Sequence, residues 1–151
     1  MQSKFFNHQG ASLHYQIGGK EAASVMVLLH GGFGSIADFE PLLPRLLQHY
    51  RVIAVDTRGH GRSTLGTAAL TYAQAAEDAR QILRHEGVEK YNLFGFSDGG
   101  TTAYRLGAED KNIEKIITVG AEWHKKHLDG MRSMFEEISL DFVKENLPKQ
   151  L

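Results

Sequence analysis

The chain has 151 residues, of which 42% are hydrophobic and 23% charged, a composition that suits one soluble domain with a sizeable core. The 17 Lys and Arg residues nearly balance the 18 Asp and Glu residues, so the net charge of -1 provides no basic surface for nucleic acid or an anionic membrane. The absence of cysteine excludes disulfides, thiolate nucleophiles and cysteine-containing zinc sites. Composition therefore indicates a small-molecule partner.

The N-terminus and the longest apolar run bear on location. The first ten residues, MQSKFFNHQG, lack the apolar segment of a secretory signal. The longest apolar run, residues 25–29, is far too short to span a bilayer. We therefore predict a cytoplasmic protein.

Strand-like and helix-like segments alternate along the chain. Two short β-prone runs, at residues 4–7 and 12–17, predict an antiparallel pair at a sheet edge. Apolar runs without polar alternation predict parallel strands buried on both faces, at residues 25–29, 52–55, 91–96 and 115–119. Apolar residues at helical spacing predict the intervening helices, at residues 39–50, 71–85 and 101–108. This alternation predicts an α/β fold, a mostly parallel sheet with helices on both faces.

From His124 onward the pattern changes to two short amphipathic helices. Their apolar faces carry Met131, Met134, Phe135 and Ile138, and then Phe142, Val143 and Leu147. These helices either cover the core or begin a lid over an active site, and the methionines favour an adaptable surface that faces a substrate. We predict a core at residues 1–123 and the start of a helical lid at residues 124–151.

The strongest chemical motif is Gly95-Phe96-Ser97-Asp98-Gly99, a G-x-S-x-G between a predicted strand and a predicted helix. A serine on such a tight turn has a strained backbone, and its hydroxyl projects above the sheet. The glycines let neighbouring backbone pass without a Cβ clash. The pattern predicts that Ser97 is a nucleophile; the alternative is a serine that only caps the helix N-terminus.

A second glycine-rich segment, His30-Gly31-Gly32-Phe33-Gly34, directly follows the strand at residues 25–29. Acyl transfer passes through an oxyanion that fixed backbone N–H groups stabilise. We assign one donor to Asp98 and the other to Gly32 or Phe33, and we expect His30 to shape the turn. The Asp98 carboxylate either pairs with an ammonium group on the substrate or faces the helix N-terminus, where an anion is favourable.

The third motif, residues 56–63 (DTRGHGRS), follows the strand at residues 52–55. Together, the three ordered motifs resemble the α/β-hydrolase superfamily of lidded esterases, peroxidases and C–C hydrolases, over essentially the whole chain up to Val119. The resemblance implies a Ser-His-acid triad with Ser97 on the nucleophile elbow of a mostly parallel sheet, of which this chain carries the first six strands. It also implies that Asp56, Arg58 and His60 brace the sheet and are not catalytic.

The triad is incomplete in this sequence. The resemblance implies an acid after the seventh strand, or sometimes the sixth, and a histidine after the eighth; neither the seventh nor the eighth strand is present. Glu122 occupies the after-sixth-strand position but has no histidine to orient. His124 and His127 could act as a base or an i, i+3 metal pair, but we expect both to be solvated lid residues.

These observations predict a serine hydrolase that acts on a small ester, amide or related acyl substrate without metal or cofactor, of which this chain is the N-terminal portion. The alternatives are a non-catalytic binding or interaction protein on the same fold, and a cofactor-free peroxidase using the same triad. An apolar parallel strand at residues 115–119 without a neighbour would expose unpaired backbone groups. We therefore expect the isolated chain to self-associate through that sheet edge or to need the rest of a longer polypeptide.

Overall fold

The computed structural model describes residues 1–124 and 126. Residues 1–121 form one compact unit, and residues from Glu122 onward form a second. The predicted lid helices, with His127 and the apolar residues from Met131 to Leu147, lie outside the described residues. The division into a core and a lid therefore stays a prediction. Within the described part of the chain, no helix has the length and apolar character needed to cross a membrane.

The described residues form one six-stranded sheet with the order β1-β2-β4-β3-β5-β6. The strands are β1 (Gln2–His8), β2 (Ala11–Gly19), β3 (Val25–Leu29), β4 (Arg51–Val55), β5 (Tyr91–Phe96) and β6 (Ile113–Val119). Strands β1 and β2 are antiparallel to their neighbours, whereas β4, β3, β5 and β6 run parallel. This arrangement confirms the predicted fold class.

In the part of the chain that the structure describes, three α-helices and one short 3-10 helix cover the sheet: the 3-10 helix Ile36–Phe39, α1 (Leu43–His49), α2 (Tyr72–His85) and α3 (Asp98–Glu109). The helix predicted over residues 39–50 was wrong at its start. The chain instead forms the 3-10 helix and then begins α1 at Leu43, with a proline in the first turn. Pro44 lacks a backbone N–H and its ring would clash with the preceding turn, so a helix can begin at this proline but cannot run through it.

Alternate residues of the central strands pack on opposite faces, as the pleat of a strand requires. On one face, Val27, Ile53 and Leu93 pack in a core with residues of α2 and α3, among them Ile82 and Leu106. On the other face, Leu28 and Ala54 pack with the 3-10 helix and α1. Both faces are therefore buried, which explains the continuous apolar runs in the sequence.

Strand β3 lies between β4 and β5, so the chain leaves it toward β4 and later returns to its other side at β5. In open α/β sheets, ligands bind outside the carboxyl ends of the strands at such a reversal of strand order. The three sequence motifs follow the carboxyl ends of β3, β4 and β5. The topology thus brings all three motifs to the same side of the sheet, next to the carboxyl ends of its parallel strands.

Strand β6 ends the sheet on the side away from β1 in the described part of the chain. Its apolar residues Ile116, Ile117 and Val119 are 38%, 48% and 48% exposed, far more than the residues of β3. Self-association through this edge stays a prediction.

Candidate active site

Ser97 occupies the turn between β5 and α3 in a backbone conformation that L-residues rarely adopt. Its φ is 50° and its ψ is -118°, and it is one of three residues other than glycine with positive φ among those described. Such a conformation costs on the order of 1–3 kcal/mol and persists only where the surrounding structure holds it. Here the Ser97 N–H donates to the Val119 carbonyl over 2.8 Å, and the Ser97 carbonyl accepts from Gly100 and Thr101 at the start of α3.

The Ser97 side chain does not cap the helix. The residue stands at the N-cap position of α3, but its hydroxyl makes no capping hydrogen bond, unlike Thr71, which accepts from the Gln74 N–H at the start of α2. The helix-capping alternative for Ser97 therefore lacks the hydrogen bond that would define it.

Two glycines of the motif permit backbone contacts that a side chain would block. A Cβ atom on Gly95 would lie 2.6 Å from the Gly100 Cα, and one on Gly99 would collide with the Leu29 carbonyl oxygen. The first contact lets α3 turn back tightly over β5, and the second seats the start of α3 on the end of β3. These glycines therefore fix the position of Ser97 by close packing.

The glycine-rich loop after β3 lies beside the serine. A Cβ atom on Gly31 would lie 3.2 Å from the Ser97 Cβ, and one on Gly32 would clash with the Asp98 carboxylate. Phe33 also has positive φ, 59°, and is 59% exposed. Asp98 is the first residue of α3, where backbone N–H groups have no partner within the helix. Gly32 thus lies against Asp98, the residue after Ser97, and the role of Asp98 and of Gly32 or Phe33 as oxyanion donors stays a prediction.

A cavity of about 460 Å³ opens next to this turn. Its walls come from the loop after β3, the loop after β4, the start of α2 and the start of α3, and include Gly31, Gly32, Thr57, Leu70, Tyr72, Ala75, Asp98 and Gly99. Ser97 is not among the lining residues, so it lies at the margin of the cavity, and its neighbours Asp98 and Gly99 form part of the wall. A volume of this size suits a small organic ligand.

Tyr72 connects the start of α2 to the start of α3 across this cavity wall. Its hydroxyl donates to Asp98 Oδ1 over 2.7 Å. Partial burial, together with this hydrogen bond and the charge of Asp98, raises the pKa of Tyr72 to about 12. The Asp98 carboxylate therefore already accepts one hydrogen bond from within the protein. Its pairing with an ammonium group on the substrate stays a prediction. Sequence analysis missed Tyr72, because its only local signal was an aromatic residue at a helix start.

Known proteins match the chain along most of its length. A family model described as alpha/beta hydrolase fold matches residues 24–142. The chain belongs to the alpha/beta hydrolase family. It is 37% identical over 101 residues to 3-oxoadipate enol-lactonase 1 of Acinetobacter baylyi, covering 67% of this chain and 38% of that protein. It is 31% identical over 140 residues to proline iminopeptidase PfmaB of Pestalotiopsis fici, covering 89% of this chain and 49% of that protein.

Solved structures agree with this assignment. A carboxylesterase structure from the ammonia-oxidizing thaumarchaeon Nitrososphaera gargenis superposes with a TM-score of 0.79 at 26% identity, over 88% of this chain and 52% of that one. A hydrolase of Pseudomonas aeruginosa gives a TM-score of 0.78 at 25% identity, over 91% and 54%. The chain thus spans about half the length of these relatives, or less.

The loop after β4 forms a dense, largely buried hydrogen-bond network. Asp56 Oδ1 accepts from the Ile36 N–H over 2.8 Å, and Asp56 Oδ2 accepts from the Arg62 N–H over 3.0 Å and contacts His14 Nδ1 at 2.7 Å. His60 Nδ1 donates to the Arg58 carbonyl over 3.1 Å. The bracing role expected of Asp56 and His60 matches these contacts.

Arg58 is fully buried and forms a two-pronged ion pair with Asp78 on α2. Its Nε and Nη2 donate to Asp78 Oδ2 and Oδ1 over 2.6 and 2.7 Å, and its Nη1 donates to the Leu65 carbonyl. The pair ties the loop after β4 to α2, as expected of a brace. Sequence analysis missed Asp78, because an aspartate on an amphipathic helix looks like a solvated residue until its partner is known.

His30 also bonds to backbone, as its position at the start of the loop predicted. Its Nε2 accepts from the Thr57 N–H over 3.0 Å, which places the ring proton on Nδ1, where it donates to the Gly31 carbonyl over 2.7 Å. Burial lowers the pKa of His30. The neutral ring therefore joins the loop after β3 to the loop after β4.

Residues after β6 complete the set of predicted positions. Glu122 is half-buried, and His124 is exposed with its ring against Trp123. Neither the acid role of Glu122 nor the solvated role of His124 is tested by these contacts, and His127 lies outside the described residues. In the described ranges, no group of three or more acidic or histidine side chains is arranged to hold a metal ion.

Proposed function

We propose that this chain carries the nucleophile and the oxyanion hole of a serine hydrolase that cleaves a small ester, amide or related acyl substrate. The observation that carries the proposal is the backbone of Ser97, which is held at φ 50° between β5 and α3 without using its hydroxyl to cap the helix. A serine nucleophile of this type lies on a strained strand-to-helix turn beside a cavity.

In the proposed reaction, the Ser97 hydroxyl attacks the acyl carbon and the leaving alcohol or amine departs, giving an acyl-enzyme that water hydrolyses. The oxyanion of each tetrahedral intermediate accepts hydrogen bonds from the Asp98 N–H and from the N–H of Gly32 or Phe33. Loss of one such donor typically costs about 2.7–4 kcal/mol of transition-state stabilisation. The adjoining cavity, lined by Leu70 and Ala75 on one side, holds part of the substrate.

We propose that the general base and its acid come from the remainder of the protein. Among the residues that the structure describes, no histidine side chain forms a hydrogen bond with the Ser97 hydroxyl. The chain covers 38% of the enol-lactonase and 49% of the iminopeptidase, so these relatives are much longer. On this proposal Glu122 is not the essential acid.

Three of the relatives described above support acyl hydrolysis. The lactonase, the iminopeptidase and the carboxylesterase are each named for cleaving an acyl bond. Cofactor-free peroxidation and a non-catalytic binding role therefore rank below hydrolysis for this chain. The predicted cytoplasmic location stays a prediction.

Labelling with a fluorophosphonate tests the proposal in the full-length protein. We expect the peptide that contains Ser97 to carry the adduct and Ser97→Ala to lose most of the labelling. Ser24→Ala is the matched control, because Ser24 is an exposed serine directly before β3, and it should label like the wild type. Undiminished labelling of Ser97→Ala would contradict the proposal.

A further inference from the structure

A second serine, on the edge strand β1, is hydrogen-bonded to a histidine, which in turn is hydrogen-bonded to an aspartate. Ser3 Oγ lies 2.7 Å from His14 Nε2, and His14 Nδ1 lies 2.7 Å from Asp56 Oδ2. Ser3 is on β1 and exposed, whereas His14 on β2 and Asp56 at the end of β4 are buried. A nucleophile bonded to a base that a third group orients is the arrangement of an activated serine.

The hydrogen bonds fix which atom carries each proton. The Asp56 carboxylate can only accept, so the His14 ring proton is on Nδ1 and donates to Asp56. His14 Nε2 is then an acceptor, and the Ser3 hydroxyl donates to it. Because Asp56 also accepts from the backbone N–H groups of Ile36 and Arg62, its carboxylate is held in place, and with it the imidazole.

The permanently charged guanidinium of Arg62 lies next to the Ser3 hydroxyl. Arg62 Nη1 donates to Ser3 Oγ over 3.0 Å, and the Arg62 guanidinium stacks over the Phe5 ring at 5.2 Å. Phe5 is two residues from Ser3 and so shares its face of β1. A guanidinium has five N–H donors, so Arg62 can keep its contact with Oγ and also donate to an oxyanion formed there.

From this geometry we infer that Ser3 is a second nucleophilic serine, which accepts the acyl group of small activated esters. Its Oγ attacks the ester carbonyl while its proton passes to His14 Nε2, and Arg62 stabilises the oxyanion. The C–O bond to the leaving group then breaks, and the leaving alcohol takes the proton from His14. The products are O-acyl-Ser3 and a free alcohol.

The surroundings of Ser3 limit the class of ester. One guanidinium takes the place of the two backbone donors proposed at Ser97, so the reaction needs an ester with a good leaving group, such as an aryl ester. The site is also separate from Ser97, since β2, β4 and β3 lie between β1 and β5 in the sheet. Acylation of Ser3 therefore does not depend on the proposed function of Ser97.

The first test uses the full-length protein with Ser97→Ala, so that the proposed active site cannot contribute. After treatment with p-nitrophenyl acetate at neutral pH, peptide mapping should find one acetyl group on Ser3. The acetylation should disappear with Ser3→Ala and persist with Ser24→Ala. An unmodified Ser3, or one acetylated no faster than Ser24, would overturn the inference.

The second test measures activation by the imidazole without disturbing buried His14. This chain has no cysteine, so Ser3→Cys and Ser24→Cys each introduce one thiol into it. A thiol bonded to an imidazole ionises more readily than a free one. General-base help is typically worth ~10²–10⁴-fold, so iodoacetamide should alkylate the thiol at position 3 at least about tenfold faster than the thiol at position 24. Equal rates would show that His14 does not activate this position and would overturn the inference.

Discussion

The loop after β4 and the turn after β5 are both polar segments at the same edge of the sheet, but they use their polar groups differently. In the loop, Asp56 and Arg58 are buried and bond to other parts of the protein, and His60 bonds to the Arg58 carbonyl within the loop. At the turn, Ser97 is half-exposed and strained, and its hydroxyl does not cap α3. The bonds of Asp56 and Arg58 hold neighbouring elements in place, whereas the Ser97 hydroxyl has no capping role that would account for the strained backbone of its residue.

Replacing Ser97 by glycine should separate strain from activity most clearly. Glycine adopts positive φ without a Cβ clash, so Ser97→Gly should keep or raise the free energy of unfolding, by up to about 1–3 kcal/mol. The hydroxyl is lost, so kcat for a chromogenic short-chain ester should fall by more than ~10³-fold in the full-length enzyme. Urea unfolding and ester hydrolysis measure the two effects.

Ser97→Ala is the control for this pair of effects. It removes the same hydroxyl but keeps a Cβ, so it should lose activity without the gain in stability. If Ser97→Gly were active, or less stable than Ser97→Ala, strain at position 97 would not be linked to function as described.

For the buried loop after β4, the largest effect is expected from Asp78→Asn, which should strongly lower the free energy of unfolding. It leaves the fully buried Arg58 guanidinium without its counter-charge, and breaking a buried pair in this way costs about 3–5 kcal/mol. Glu77→Gln is a matched control on the preceding residue of α2, because Glu77 pairs with Arg80 near the surface and such pairs contribute about 0–1 kcal/mol. Urea midpoints compare the two variants, and equal losses would contradict the bracing role of Arg58 and Asp78.

His30 should make stability depend on pH. Its folded-state pKa is lowered by burial, so below about pH 6.5 the unfolded chain binds a proton that the folded chain does not. The free energy of unfolding should therefore fall as pH decreases from about 7.5 to about 5.5, by up to about 1.4 kcal/mol per pH unit from this group. His30→Gln, which removes the titration, should flatten the curve measured by urea unfolding; parallel curves would show that His30 is not the cause.

Glu122→Gln should have the smallest effect of these changes. We propose that the acid lies elsewhere in the protein, so this variant should keep most of the wild-type kcat and the same circular dichroism spectrum. Loss of nearly all kcat in a folded variant would instead assign the acid to Glu122.

The sequence predicted the parts of the site that depend on neighbours in the chain. Gly95 and Gly99 flank Ser97 within one motif, and continuous apolar runs marked the buried strands. It did not predict partners that meet only through the sheet. Asp78 contacts Arg58 from a different element, Tyr72 reaches Asp98 from the start of another helix, and His14 approaches Asp56 across paired strands. The start of α1 was misplaced because the spacing of the apolar residues marks the buried face of a helix but not the residue at which it begins, which Pro44 decides.

The close packing of α3 on the end of β3 limits which positions of this chain can be varied. Because Gly99 allows no side chain against the Leu29 carbonyl, and Gly95 none against Gly100, these two positions next to Ser97 tolerate no residue larger than glycine. The opposite wall of the cavity is different, since Leu70, Tyr72 and Ala75 come from the start of α2 and the loop before it, away from that contact. A directed-evolution library for altered substrate preference should therefore randomise these three positions and leave the turn unchanged.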